Sequence, residues 1–194
     1  NIPDSVTSIN GYAFSDCKGL ETITISNSVT AIGDSAFKGC SGLTSLTIPS
    51  SVTSIGWGAF YGCSGLKTVN IEAHMASIDF VDTFIGCNSM TTISFPADHR
   101  SYQSDDGVVL NLAGTSLVYC PRGKSNYTIP DTVTWISADA FNGCSNLDSI
   151  TLSDHITGTG YCAFQGCSSL KSVTIPSSMT KIEGRMFNGC TSLA

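Results

Sequence analysis

Charge is scarce in this chain. Of its 194 residues, 12% are Asp, Glu, Lys or Arg, about half the share usual in soluble proteins. Basic residues are the scarcer sign: nine Lys and Arg against fifteen Asp and Glu leave a net charge of −6. The nine are scattered along the sequence. Without a basic patch there is nothing to hold a phosphate backbone, which excludes nucleic acid as a partner. No apolar run approaches the ~18 residues of a membrane-spanning helix, so membrane insertion by a helix is excluded too. Residues 1–9, NIPDSVTSI, carry no secretory leader and resemble the middle of a folded unit. The chain therefore reads as a mature or excised piece, compatible with secretion.

What is present is 41% hydrophobic residues, enough for a sizeable core. Ser and Thr supply about a quarter of the chain, so hydroxyls take over the solvating role that ions usually play. Nine cysteines are also present, and their placement is periodic.

Phe14, Phe37 and Phe60 are 23 residues apart, as are Phe141, Phe164 and Phe187, with Phe84 24 after Phe60. Three residues after each stands a cysteine: Cys17, Cys40, Cys63, Cys87, Cys144, Cys167 and Cys190. Three further on stands Leu20, Leu43, Leu66, Met90, Leu147, Leu170 or Leu193. A fixed period of this length means one supersecondary unit stacked on itself. Within a unit, GLTSLTIP alternates apolar and polar residues, as a half-buried strand does. SVTSIG supplies a second short extended piece. The Ala-Phe-x-x-Cys-x-x-Leu spacing predicts one or two turns of α or 3₁₀ helix, stopped by glycines such as Gly62 and Gly65. Each coil thus runs strand, turn, short strand, short helix, which makes the fold class an α/β repeat solenoid.

The periodic cysteines form an interior ladder at ~4.8 Å spacing. Parallel side chains at that spacing keep Cβ atoms too far apart for an unstrained disulfide, which needs about 3.8 Å. A buried free thiol behaving as a small hydrophobe fits better. Cys120 and Cys162 stand outside the ladder. Cys162, at the start of a predicted short helix where a thiol pKa is lowered, is the candidate reactive thiol. No metal site is expected. His74 and His155 share a register but lie three coils apart, about 15 Å, too far for two ligands at ~2 Å from one zinc. His99 lies alone in an irregular segment. Cys162 and His155 fall on different sides of their coil, so no Cys–His dyad forms, and neither an enzyme nor a cofactor is expected.

Departures from the repeat carry the functional expectations. Residues 97–128 form an insertion, read as a protruding β-hairpin with Gly114 in its turn. Trp57 stands where other coils have Asp34 or Ala138. Tyr61 and Ile85 share a variable register, and Phe80 lies in the 24-residue coil. These four form either an exposed apolar binding patch or a floor beneath the hairpin. The outward strand face is a carpet of Ser and Thr with flanking charges of alternating sign. Thr47, Lys67 and Asn70 are the candidate binding residues on it.

The recurring L-x-x-I-x-I fragment, as in Leu43/Leu46/Ile48, together with IPSSVTSIG and AFYGCSGL, resembles the BspA-like (Treponema-type) leucine-rich repeats. The resemblance covers nearly the whole chain. It implies a right-handed leucine-rich-repeat superhelix over residues 1–194, one domain that is a segment of a longer array, with one longer hairpin coil. It also implies a non-catalytic binding module of a cell-surface or secreted protein, adhering to host or matrix proteins. Glycan binding on the hydroxyl face is one alternative. A structural spacer or ice-binding Thr/Ser array is another. Incomplete units at both termini suggest end-to-end self-association.

Overall fold

A computed structural model describes all 194 residues, in two compact units, Asn1–Ser101 and Tyr102–Ala194. The first contains β1 (Ser8–Ile9), β2 (Ala31–Ile32), β3 (Ser45–Ile48), β4 (Ser54–Ile55), β5 (Thr68–Ile71), α1 (Phe80–Thr83) and β6 (Thr92–Ser94). Two parallel ladders run through it. One joins β3, β5 and β6 with Leu46, Val69 and Ile93 in register, all buried; the other joins β1, β2 and β4 through Ile9, Ile32 and Ile55. The alternation in SLTI and TVNI turns Leu46, Ile48, Val69 and Ile71 inward and leaves Ser45, Thr47 and Thr68 exposed, the period-2 consequence of the pleat. Segments 20–25 and 170–175 carry the same L-x-x-I-x-I pattern but hold no regular strand.

The helix expected over each Ala-Phe-x-x-Cys segment is corrected. The backbone there is a run of β-turns: the N–H groups of Ala59, Tyr61, Cys63 and Leu66 donate to the carbonyls three residues earlier. Residues in the left-handed region interrupt any helix twice per coil. Gly39, Gly62, Gly143 and Gly166 (φ 71 to 76°) hold one position, where glycine carries no Cβ penalty. Ser35, Asp139 and Cys162 (φ 54 to 57°) hold the other. Intervening N–H groups turn to the next coil, as Phe37 donates to Ala59 O at 2.8 Å and Gly62 to Ile85 O at 2.7 Å. A helix would satisfy these donors internally; the turn ribbon uses them to join coils. Only the 24-residue coil contains a helical turn, α1, capped by Asp79, whose side chain accepts the Asp82 N–H at 3.0 Å.

Between the strand and turn rows, Phe14, Phe37, Phe60 and Phe84 stack at centroid distances of 5.1, 5.3 and 5.7 Å. All nine thiols are free. The ladder cysteines do more than fill space: Cys40, Cys63 and Cys87 point Sγ at the carbonyls of Phe14, Phe37 and Phe60, at 3.0 to 3.2 Å. Those carbonyls already accept the backbone N–H of Cys17, Cys40 and Cys63. The thiol therefore serves a second lone pair across the coil boundary.

The second unit contains β7 (Tyr102–Asp105), β8 (Val108–Asn111), β9 (Ser116–Tyr119), β10 (Asn126–Thr128), β11 (Trp135–Ile136), β12 (Ser149–Thr151) and β13 (Gly158–Thr159). β10 pairs with β12 in parallel. The insertion is an antiparallel β7–β8–β9 meander and not a single protruding hairpin. Asp106 and Gly107, both at positive φ, make the first turn, as a two-residue hairpin requires; Gly114 (φ 68°) lies in the second, as expected. Val108, Val109, Leu110 and Leu117 are buried, and β9 lies parallel to β11, which in turn pairs β13. The meander therefore supplies a row of the ladder. Cys120 takes the backbone place of the missing Phe: its N–H donates to Ala140 O at 2.7 Å, and Cys144 Sγ reaches its carbonyl at 3.5 Å. Phe141, Phe164 and Phe187 stack at 4.8 and 5.6 Å.

Candidate functional site

The predicted binding residues separate into three places. Trp57 and Tyr61 belong to the turn row of the third coil, where Gly58, at φ 59°, holds the left-handed position between them. Both project outward: Trp57 is 57% exposed and Tyr61 38%. Ile85 is half-buried in the next coil, where its carbonyl accepts the Gly62 N–H at 2.7 Å. Phe80 is not part of this surface. It is 2% exposed and meets Phe95 edge-on at 6.3 Å, because the extra residue of its coil is taken up by α1, which turns the ring inward. Thr47, Lys67 and Asn70 lie on the strand row instead. There Asn70 is engaged on both sides: its Nδ2–H donates to Glu72 at 3.2 Å, and Ser94 Oγ–H donates to its Oδ1 at 3.2 Å.

Two carboxylates that the sequence did not single out fix Trp57. Asp34 of the preceding coil accepts the Trp57 backbone N–H at 2.7 Å. Asp82 of the following coil accepts the indole Nε1–H at 3.0 Å, placed there by the Asp79 cap of α1. Lys38 sets its ammonium over the Tyr61 ring at 5.5 Å, within cation–π range. The patch is thus open to solvent, rigid in its backbone and bordered by charge. The period was the available signal for Asp34, since it shares the register of Trp57 one coil earlier.

Cys162 is placed differently from expectation. It starts no helix, is 5% exposed, and donates from Sγ to Gln165 Oε1 at 3.1 Å. Burial, then the Asp139 carboxylate, raise its pKa, against a smaller opposing effect of Arg185. The lowered pKa inferred for a reactive thiol is therefore corrected in direction. Cys17 is exposed while Cys40, Cys63, Cys87, Cys144 and Cys167 are buried. With a maleimide reagent on the native protein, Cys17 is expected to react first, and Cys162 no faster than half-buried Cys190, by peptide mass spectrometry. Rapid modification of Cys162 ahead of Cys17 would contradict the placement.

His99 is not isolated. It is buried, stacks on exposed His74 at 5.4 Å, and accepts the Ser101 N–H at Nδ1, which leaves the proton on Nε2 toward Ala73 O at 3.1 Å. His74 also lines a cleft of about 340 Å³ with Ser50, Val52, Thr53, Met75 and Ala76. No group of three or more His, Cys, Asp or Glu side chains is arranged to hold a metal ion, and no helix is long and apolar enough to cross a membrane. In the second unit Trp135, 42% exposed, lies over Gly158, where a Cβ would come within 2.6 Å of the indole ring. Only glycine leaves room for that ring.

The sequence pattern of the BspA type leucine rich repeat region matches residues 1–105 and 118–194, in six copies. Among solved structures, the chain is similar to a leucine rich cell surface protein of Faecalibacterium prausnitzii: 29% identity, TM-score 0.58, over 99% of this chain and 64% of that one. It is similar to a leucine-rich repeat protein of Bacteroides ovatus at 27% identity and TM-score 0.58, over 100% and 58%. The pneumococcal vaccine antigen PcpA shares the fold, at 22% identity and TM-score 0.63 over 92% and 50%. The chain thus spans between half and two thirds of the length of these structures. No match is found among curated proteins.

Proposed function

The chain belongs to the BspA type leucine-rich repeat family, and from that premise we propose that it is a non-catalytic protein-binding module of a cell-surface protein. The observation that carries this reading is the exposed Trp57–Tyr61 pair, held on a rigid turn row and bordered by charge. Trp and Tyr are enriched where proteins bind one another, because a large ring is buried at little entropic cost. The cell-surface placement follows the description of the Faecalibacterium relative. The right-handed winding, and membership in a longer array, are taken from the family resemblance and the greater length of the related structures.

The partner proposed is an extracellular protein of a host. Immobilised matrix proteins should capture the wild-type chain, and Trp57→Ala/Tyr61→Ala should weaken capture by roughly tenfold or more, the loss expected when hot-spot aromatics are removed. Retained circular dichroism would show that the variant is folded. Equal capture of both forms, or none of either, would reject the reading. A glycan reading is favoured by one observation, the exposed Trp135 ring set with its edge against Gly158; an arrayed glycan panel compared with Trp135→Ala tests it.

A further inference from the structure

Trp57 is an exposed ring with one carboxylate at its indole N–H, a second at its backbone N–H, and no cation of its own. Asp34 and Asp82 each give one oxygen to a Trp57 N–H, through Oδ1 at 2.7 Å and Oδ2 at 3.0 Å. Neither is ion-paired; the ion pairs of the chain are Lys124–Asp106 and Lys181–Glu183. The neighbouring ring, Tyr61, already carries the ammonium of Lys38. The same coil row of the second unit shows the guanidinium form of this contact, Arg185 over Tyr161 at 6.0 Å. Trp57 offers the stronger face for such a contact, since indole is the best of the aromatic acceptors. Its N–H bond to an anion further enriches the ring in electron density.

We infer that Trp57, Asp34 and Asp82 form a receptor for an arginine side chain presented by a basic segment of the protein partner. A guanidinium is planar and weakly hydrated, so it stacks on the indole while its edge N–H groups donate to the second oxygens of the two carboxylates. An ammonium lacks the flat fork and engages the ring and one carboxylate at a time. The two acids arrive from different coils, 48 residues apart in sequence, so the receptor exists only in the stacked state. This inference rests on the protein-binding reading above and specifies the partner's chemistry at the same patch.

The test uses Trp135→Phe protein, in which Trp57 is the sole indole, titrated with tetra-arginine amide. A saturable change in Trp57 emission is expected, weakened by added salt. Tetra-lysine should bind several-fold more weakly and tetra-glutamate not at all. Asp34→Asn/Asp82→Asn keeps an oxygen to accept both Trp57 N–H bonds but removes the charge, and should weaken tetra-arginine binding by roughly tenfold or more, the equivalent of one lost charge-assisted contact. Asp131→Asn/Asp154→Asn, on exposed residues elsewhere, should leave it unchanged. No saturable change, or equal losses in the two double variants, would overturn the receptor and leave only the attraction of an acidic protein for a cationic peptide. The two readings fail separately. Capture of matrix proteins that depends on Trp57 and Tyr61 but resists both tetra-arginine competition and Asp34→Asn/Asp82→Asn removes the arginine receptor alone. Specific tetra-arginine binding with no matrix protein captured removes the proposed host partner and keeps the receptor.

Discussion

Replacing Phe60 by alanine is expected to destabilise the first unit by about 3–5 kcal/mol, the range for truncating a fully buried ring that leaves a cavity. Phe60 has no solvent exposure and is covered on both faces, by Phe37 at 5.3 Å and Phe84 at 5.7 Å. The gap cannot close by collapse. Coil spacing is fixed on either side by the strand ladders and the turn-ribbon bonds, including Phe60 N–H to Thr83 O at 3.1 Å. Phe14 provides the internal comparison: half-buried, with the Phe37 ring on one face, it should cost about half as much on truncation. Urea unfolding followed by Trp57 emission in the Trp135→Phe background reports the first unit. A loss under about 0.5 kcal/mol for Phe60→Ala, a value typical of surface positions, would show that the ring column does not organise the coil.

The columns themselves were legible, because a period repeated across seven phenylalanines fixes which residues share a register whatever the backbone does between them. Strands β3, β5, β6 and β12 fall on the L-x-x-I-x-I fragments for the same reason. The turn ribbon was not legible. Spacings of one, three and three suit a helical turn and a run of β-turns alike, since a 3₁₀ turn and a β-turn close the same i to i+3 bond. The deciding fact is a left-handed residue in the middle of the run. Glycine announces that at Gly39 and Gly62, but Ser35, Asp139 and Cys162 adopt the same conformation with no local mark in the sequence.

The insertion shows a different cause of error. Asp106-Gly107 between YQSD and VVLN is a hairpin signal that the absence of the repeat obscures. The apolar VVL run falls inside the expected protrusion but is core. At the candidate site, Trp57 and Tyr61 stood out as departures from the repeat and are exposed. Phe80 is an equal departure and is buried, because α1 takes up the extra residue of its coil and turns the ring inward. Asp34 lies within reach of the period, one repeat before Trp57, whereas Asp82 depends on the cap that aims it.

Raising the pH from about 8.5 to 11 is expected to unfold the protein progressively, and the ladder thiols are the cause. Burial first, then the neighbouring Cys63, push the Cys40 thiol up to about 11. Burial likewise raises Cys167, and a hydrogen bond with Cys120 together with burial raises Cys144. An exposed thiol in the unfolded chain titrates near 8.5. Below that pH both states hold the proton and the stabilisation is complete. Above it the unfolded chain releases protons that the folded chain retains, so stability falls as pH rises toward the folded pKa. Each thiol held protonated costs up to about 1.4 kcal/mol per pH unit in this window, and the ladder multiplies the effect. Burial and the Asp105 bond raise Tyr127 in the same sense, so the comparison is made in a Tyr127→Phe background with reductant present. The urea midpoint should fall steeply between about pH 8.5 and 11. Cys63→Ala/Cys167→Ala should start lower at pH 8, because the contacts to Phe37 O and Phe141 O are lost, yet decline less steeply. The two substitutions thus separate the roles that make cysteine fit this position: a small apolar volume that alanine nearly matches, and a weak S–H donor that alanine lacks. A serine hydroxyl would donate more strongly but would lose more hydration on burial than a thiol does. An alkaline slope unchanged by removing two thiols would assign the pH dependence elsewhere and leave the ladder a matter of volume alone.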